Sequence, residues 1–581
     1  MLAAIFQMGC SGEILGGDDL VSTNPNLPAD GSGGVSGTAG TGSGAPGPGQ
    51  KPGTPGTGGS GSTPVGPNAG AANSGGAGPS NPTTGGSSQI PSGDPTNPSG
   101  GANGSPGSGG GVAGPVESGF ARLTRAEYGA TLREAFGVDV DRSLVPVDGR
   151  VGPFTSNAAE AAEPVHPYLL AAEDIATRLV PAELAACSRT RIQRCIEDEY
   201  AGPLEQLYRR PLTAAEVTAL SDLFSNLVAA GASEVDATRA MLTSALVSPD
   251  FLYRTISRPG DTARARRLAE HLSYALWDAP PDADLLAAID GAGPIGRRLA
   301  EQAARMSRDA RAVPVVARFL AQWLRVDVDI KLEDPAFGRS PHFTELLAIA
   351  EDALTNAVPI ASLIDGERGF VHEDNASLYG LDSLPGRDDV VAVTWPVESG
   401  RRGILAQELF ADATRHPDPT RRPIFRGLLV RRSLLCESIP PPPPGLLASA
   451  GEVSDRLADM RCASCHTRID PVGRAFAVLD SDTEGVNTTA ELIEHPELAG
   501  TYANLGELLS AVATSRAFAE CFARQWLGFF LEHAPEQADA AWVSQAADLV
   551  QAGASFPELI EHTVVTLEAR STNVTPWCEG S

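Results

Sequence analysis

Apolar residues recur at helical spacing over most of the chain after position 120. Two of these stretches begin with a capping box, Thr124 with Glu127 and Thr213 with Glu216, in which each side chain can bond the backbone N–H of the other residue. Alternating strand patterns are scarce, and the best of them, Val390–Val397, is short. The sequence therefore predicts a mainly α protein made of several small helical modules. Helices are expected at 125–136, 214–230, 268–277, 285–289, 315–324, 343–354, 505–512, 517–531 and 540–550.

The first part of the chain has none of this periodicity. From position 17 to 117 it is almost entirely Gly, Ser, Pro, Ala, Thr and Asn, and no aromatic residue lies between Phe6 and Phe120. Such a segment cannot bury enough apolar surface to offset the conformational entropy that it would lose on ordering. Residues 17–117 are therefore expected to form a long disordered tether. No apolar run reaches the length of about 18 residues that a membrane-spanning helix needs.

The segment before the tether, Met1–Cys10, is short, apolar and ends in Gly9-Cys10. It lacks the positive and full apolar regions of a signal peptide. We expect the natural start to lie upstream of Met1, and Cys10 to carry a lipid after cleavage at Gly9. The alternative is a chance cysteine. A lipid-bearing Cys10 predicts an exported protein of the cell envelope, in the periplasm or at the outer-membrane surface, that meets the membrane only through its anchor.

The charge of the chain limits the classes of molecule that it is expected to bind. The formal net charge is −28, and Lys51 and Lys331 are the two lysines. A nucleic-acid-binding surface needs a basic patch or stripe. The arginines of this chain occur in short groups among many acids, so we expect no nucleic-acid partner. An acidic surface of this kind repels acidic molecules.

Cys462, Cys465 and His466 form the run Cys-Ala-Ser-Cys-His. Two cysteines at this spacing can each form a thioether with a haem vinyl group, and the next histidine can present its imidazole to the iron. The motif and the expected export predict one covalently bound haem c, with His466 as the proximal iron ligand. A redox dithiol would need a βαβ context, which the sequence lacks. A zinc site would need two more ligands, yet Cys436 and Cys521 are isolated and no second CxxC occurs.

From residue 122 onward the chain contains a series of distinctive motifs. They lie at Arg122–Tyr128, Tyr208–Thr213, Ser248–Arg254, Leu268–Trp277, Arg426–Gly427, Leu435–Cys436 with the prolines that follow, and Cys462–Gly473. In this order they resemble the planctomycete-type multi-module cytochrome c proteins, which are also frequent in myxobacteria and whose modules mostly have no known function. The resemblance implies an exported protein with a haem-binding module, without implying a known reaction. The chain departs from the pattern at Phe476–Asp480, where similar proteins carry an acidic residue and a Phe-Asp pair, and the segment before Cys462 is shorter.

Small c-type cytochromes often take a methionine as the second axial ligand, but no methionine follows Met460. Met460 itself is two residues before Cys462, on the proximal side of the haem. The iron is therefore expected to be bis-histidine or five-coordinate. His416 is the favoured distal candidate because the resemblance puts it in the haem module. The other candidates are His495, His533 and His562.

The remaining cysteines suggest disulfides. Cys187 and Cys195 are close in sequence, so we expect a local disulfide of the kind that exported proteins keep. Two of Cys436, Cys521 and Cys578 could pair, with one left over. A Cys436–Cys521 pair would clamp the haem module to the C-terminal helices. The alternative is that Cys521 is a buried free thiol in an apolar helix.

These features are compatible with three alternative functions, and they predict how the chain is divided into regions. The first is electron transfer by a lipid-anchored mono-haem protein, with an unidentified redox partner protein. The second is a haem enzyme that acts on peroxide or oxidises a polymer, such as a surface polysaccharide. The third is a non-catalytic surface binding protein in which the haem is structural. The expected regions are a truncated signal and lipobox region at 1–16, the tether at 17–117, N-terminal helical modules at 118–260, a central helical module at 261–398, a cytochrome c-like haem-binding module at 399–500 and a C-terminal helical module at 501–581.

Overall fold

The structure is a computed structural model, and every structural statement here concerns the residues that it describes. The predicted tether, the lipobox region with Cys10, and Cys578 lie outside them. The described residues are 120–157, 166–181, 187–255, 261–326, 336–381, 384, 390–396, 399–441, 457–480 and 487–571.

The N-terminal part is a bundle of short helices closed by a small sheet. Both predicted capping boxes are present, and the N–H of Thr124 donates to the Glu127 carboxylate across 2.7 Å. Strand β1 pairs antiparallel with β4, so that Ala121 lies opposite Arg254. The elements are β1 (Phe120–Arg122), α1 (Arg125–Phe136), β2 (Arg150–Val151), β3 (Phe154–Thr155), α2 (His166–Leu179), α3 (Ile192–Cys195), α4 (Ala201–Tyr208), α5 (Ala214–Ala229), α6 (Glu234–Leu246), α7 (Pro249–Leu252) and β4 (Tyr253–Thr255).

Helices and short two-stranded sheets also make up the rest of the described chain. The elements are α8 (Asp261–Trp277), α9 (Ala283–Asp290), α10 (Ile295–Met306), α11 (Ala312–Trp323), α12 (Pro341–Thr355), α13 (Ser362–Asp365), β5 (Arg368–His372), β6 (Val390–Thr394), α14 (Glu408–Ala413), α15 (Arg422–Leu428), α16 (Met460–Gly473), β7 (Ala490–Leu492), β8 (Gly500–Tyr502), α17 (Leu505–Thr514), α18 (Arg516–Leu531), α19 (Ala540–Gln551) and α20 (Phe556–Ser571).

The fold class is mainly α, as predicted, and each helix predicted from periodicity is present. Helix ends differ by a few residues, with the largest extension at α8, which begins at Asp261. The predicted strand forms as β6 over Val390–Thr394 and pairs antiparallel with β5. None of the described helices is both long enough and apolar enough to cross a membrane.

Two large apolar cores, and a small third cluster that contains Val371 and Trp395, hold these elements together. The N-terminal core packs side chains of α1, α2 and α4 to α7, with Tyr128, Ile175 and Phe224 fully buried. The second core is continuous from α8 to α20 and contains a cluster of large aromatic side chains around Trp323 and Trp526. Helices of the expected central, haem-binding and C-terminal regions therefore share one interior.

Two disulfides link described cysteines. The first joins Cys187 to Cys195, the pair that the sequence predicts. The second joins Cys436, just after α15 and its π-helical extension 429–434, to Cys521 in α18. Cys521 is therefore not the free thiol that its apolar helix also allowed, and the bond fastens the segment before the Cys-Ala-Ser-Cys-His motif to the C-terminal helices.

Candidate functional site

The Cys-Ala-Ser-Cys-His run lies on the first two turns of α16. The side chain of Asp459 accepts the N–H of Arg461 across 2.9 Å, which fixes where the helix begins. Because residues three and four positions apart share a helix face, Cys462, Cys465 and His466 lie on one side of α16. Both cysteines are free thiols; Cys462 is buried and Cys465 is partly exposed. The helix thus presents two thiols and one imidazole together.

Helix α16 is pressed against α15 through two glycines. A Cβ on Gly427 would lie 2.0 Å from the carbonyl oxygen of Ile469, and a Cβ on Gly473 would lie 1.9 Å from that of Pro423. Such distances are far inside van der Waals contact, so only glycine allows these backbones to meet. The contact fixes the rotation of α16 about its axis, and with it the direction of the cysteine and histidine side chains.

His466 is held by a carboxylate one turn further along the helix. Its Nδ1 lies 2.8 Å from Oδ1 of Asp470, and the Asp470 side chain is about 10% exposed. An ionised carboxylate can only accept hydrogen bonds, so Nδ1 carries the proton. The lone pair of the neutral ring is then on Nε2, for which the described residues provide no hydrogen-bond partner. Metal-binding histidines adopt the same tautomer.

A buried ion-pair network anchors the middle of α16. The guanidinium of Arg431 is fully buried and lies 2.6 Å from the Glu437 carboxylate, which also pairs with Arg468 at 3.0 Å. The Arg431 side chain also donates to the backbone carbonyls of Arg468 and Ile493. The segment after α15, helix α16 and the residues before β8 are thereby tied to one another.

A second buried ion pair joins α15 to the segment that follows α16. The guanidinium of Arg426 donates to both oxygens of Asp480, at 2.6 and 2.8 Å, and to the carbonyl of Phe476 at 3.0 Å. Asp480 ends the run in which the chain departs from the pattern of similar proteins. Sequence reasoning did not assign a role to either residue, although Arg426-Gly427 was among the motifs that carried the resemblance.

The two candidate distal ligands in the expected haem-binding module, His416 and His495, both accept a backbone hydrogen bond on Nδ1. Nδ1 of His416 accepts the N–H of Asp418 across 3.0 Å, and Nδ1 of His495 accepts the N–H of Leu498 across 3.0 Å. A neutral ring whose Nδ1 accepts a hydrogen bond has its proton on Nε2. Iron ligation by His416, which stays a prediction, would therefore require loss of this hydrogen bond.

The position of His416 also argues against its binding an iron held by α16. Its ring stacks on Phe425, with the ring centroids 5.7 Å apart and the planes 10° from parallel. Phe425 lies midway between Pro423 and Gly427, which face α16, and so it is on the opposite side of α15. The remaining candidates lie farther along the chain, His533 just after α18 and His562 within α20. Burial lowers the pKa of His562, whose Nε2 is buried without a partner.

The donor set fits a covalent haem better than it fits zinc. The described residues contain no group of three or more His, Cys, Asp or Glu side chains arranged to hold a metal ion. A structural zinc site needs four such ligands, whereas thioether attachment needs two free thiols and one histidine with a lone pair on Nε2. Cys462, Cys465 and His466 supply that set.

These features define a mainly helical protein of several modules, one of which carries a Cys-x-x-Cys-His helix. Four families match the chain in order, and each is described as a protein of unknown function: PSD3 (DUF1587) at 121–181, PSD5 (DUF1595) at 201–255, PSD4 (DUF1592) at 264–381 and PSCyt3 (DUF1588) at 401–484. The chain belongs to the planctomycete-type multi-module cytochrome c-like family. Helix α16 lies within the PSCyt3 match. No curated protein and no solved structure is significantly similar to the chain.

Proposed function

We propose that this chain is an exported mono-haem c protein that transfers electrons. Cys462 and Cys465 would each form a thioether with the haem, and His466 would bind the iron through Nε2. A haem so bound supplies one-electron redox chemistry at its iron. The observation that carries the proposal is the hydrogen bond from His466 to Asp470, because it leaves the nitrogen that metals bind unprotonated, beside two free thiols.

Export is part of the same proposal. The disulfides Cys187–Cys195 and Cys436–Cys521 support it, since such bonds persist in oxidising compartments and are rare in the cytosol. Covalent haem attachment also belongs to an exported chain. We further propose a lipid on Cys10, which would hold the protein at the cell envelope while it meets a redox partner protein.

A second candidate is a haem enzyme that acts on peroxide or oxidises a surface polymer. It is favoured by the backbone hydrogen bonds that Nδ1 of His416 and Nδ1 of His495 accept, because each ring would have to give up that bond before it could bind iron. An open coordination position would admit a small substrate. High-spin ferric spectra would favour this candidate, and low-spin bis-histidine spectra would favour electron transfer.

The test is expression in cells that mature c-type cytochromes, followed by a pyridine haemochrome spectrum of the denatured chain. We expect the spectrum of a haem held by two thioethers, and its loss in the Cys462→Ala/Cys465→Ala variant. The Cys187→Ala/Cys195→Ala variant is the matched control, because it removes two cysteines without touching α16 and should keep the haem. A wild-type chain without covalent haem, in cells that mature a control cytochrome, would contradict the proposal.

A further inference from the structure

Helix α16 carries a buried carboxylate whose position is set independently of His466. Ile469 and Gly473, on either side of Asp470, press their backbones against α15, and Val472 is fully buried. These contacts prevent the third turn of the helix from rotating or shifting. The carboxylate of Asp470 is therefore held one helical turn from His466, where residues four positions apart face each other.

The pair differs from an ordinary ion pair on a helix surface. Exposed pairs at this spacing contribute little to stability, because they bring two long, flexible side chains together in water. Here the side chains of His466 and Asp470 are about 20% and 10% exposed, and the hydrogen bond between them is 2.8 Å long. A buried carboxylate on the far nitrogen of a metal-binding imidazole increases the basicity of the ring and fixes its orientation.

We propose that Asp470 is a positioning residue that acts through His466 to stabilise the ferric state of a bound haem. This inference rests on the proposed haem function. With haem bound, the Asp470 carboxylate would increase electron donation from Nε2 of His466, and this donation would stabilise the ferric state more than the ferrous state. Removal of the negative charge from Asp470 should therefore raise the reduction potential.

The variant that separates charge from shape is Asp470→Asn, because the amide oxygen can still accept the hydrogen bond from Nδ1. We expect the ratio of ferric to ferrous protein at a fixed potential to fall about tenfold, which is about 59 mV for a one-electron couple. Where the ferrous iron is five-coordinate, the iron–histidine stretching frequency should also fall, because Nε2 becomes a weaker donor. Asp470→Glu keeps the charge, and its potential should lie closer to that of the wild type.

The matched control is Asp459→Asn on the same helix. It removes one negative charge near Cys462 at the start of α16, where Asp459 caps the helix and pairs with Arg461. Because Asp459 does not contact His466, we expect less than a threefold change in the same ratio. A similar shift in both variants would mean that Asp470 acts only as a nearby charge.

Haem content keeps this inference separate from the proposed function. Pyridine haemochrome spectra should show covalent haem in the wild type and in all three variants, whereas the potentials report on Asp470. An Asp470→Asn protein with full haem content and an unchanged potential would overturn the role of Asp470 and leave haem attachment intact. A wild-type chain without covalent haem would instead overturn both.

Discussion

The guanidinium of Arg254 forms a buried ion pair with Glu127, with 2.9 Å between Nη2 and Oε1. The same guanidinium also contacts Glu532, which follows α18 in the left-handed backbone region. Arg254 is in β4, and Glu127 completes the capping box of α1. One side chain therefore connects the N-terminal bundle to the end of α18 in the second core, and two carboxylates lie close to one positive charge.

Replacement of Arg254 by methionine should destabilise the protein strongly. At a pH of about 8, above the Glu127 pKa of about 7, it would leave Glu127 and Glu532 buried without their cation, and the loss of one partner from a buried pair costs about 3–5 kcal/mol. Denaturant unfolding would measure the change. The matched control is Arg133→Met, which breaks the exposed pair between Arg133 and Asp139 and should cost no more than about 1 kcal/mol. Equal losses in the two variants would contradict a special role for Arg254.

Stability should also depend on pH through Glu127. Burial raises the pKa of Glu127 to about 7, and the nearby carboxylates of Glu532 and Asp278 act in the same direction, against the lowering effect of Arg254. The folded state then holds a proton that the unfolded chain, with a pKa of about 4.5, releases. The stabilisation from this group is complete below pH 4.5 and is lost as the pH rises towards 7.

The test of this pH dependence is a comparison with Glu127→Gln, in which the side chain stays uncharged at every pH. Between pH 5 and pH 7.5 the free energy of unfolding should fall more in the wild type than in the variant. Taking the difference cancels groups such as His271, whose pKa burial lowers to about 4 and which acts in the opposite direction, costing stability as the pH falls below 6.5. Parallel pH profiles would show that Glu127 is ionised throughout.

The helices that depend on local sequence patterns could be predicted from the sequence. A capping box lies within four residues, and an apolar stripe repeats every three or four, so α1, α5 and seven helices of the second core (α8, α9, α11, α12 and α17 to α19) could be located from their own residues. Helices α10 and α20 of the same core were not predicted. Contacts between residues that are far apart in the sequence could not be predicted in this way. The partners of Arg254 are Glu127 and Glu532, which are 127 and 278 positions away in the sequence. Nothing in the local sequence pattern identifies them as partners. The same limit applies to β5, which β6 requires as a partner.

The site divides in the same way. The spacing of Cys462, Cys465 and His466 predicts the attachment chemistry, and the relation of His466 to Asp470 is a four-residue spacing that the sequence also contains. A rule that looks for a carboxylate one turn after a candidate metal-binding histidine would have found Asp470. The choice of Cys521 as the partner of Cys436, and the ion pairs of Arg426 and Arg431, depend on how distant segments pack.

Removal of the Cys436–Cys521 disulfide should cost more stability than removal of Cys187–Cys195. The two bonds join cysteines 85 and 8 positions apart, and a cross-link that closes a longer loop restricts the unfolded chain more. Loop-closure entropy gives about 4.5 kcal/mol for the first bond and about 2.5 kcal/mol for the second. Chemical unfolding of the two double Cys→Ala variants would test this order. The reverse order would mean that native-state contacts, rather than loop length, dominate.

The glycine contact between α15 and α16 gives the last prediction. Gly427→Ala places a methyl group against the backbone of Ile469, and because neither backbone can yield like a flexible side chain, the helices must separate. Overpacking of this kind costs about 1–3 kcal/mol, and the separation should also reduce haem incorporation, because α16 would lose its fixed orientation. Thermal unfolding and haem content per chain measure the two effects.

Gly202→Ala in α4 is the control, since nothing lies within 4 Å of the added Cβ and the change should be neutral or stabilising by about 0.4–1 kcal/mol. If Gly427→Ala kept both its stability and its haem content, the close approach of α15 and α16 would not be what orients His466.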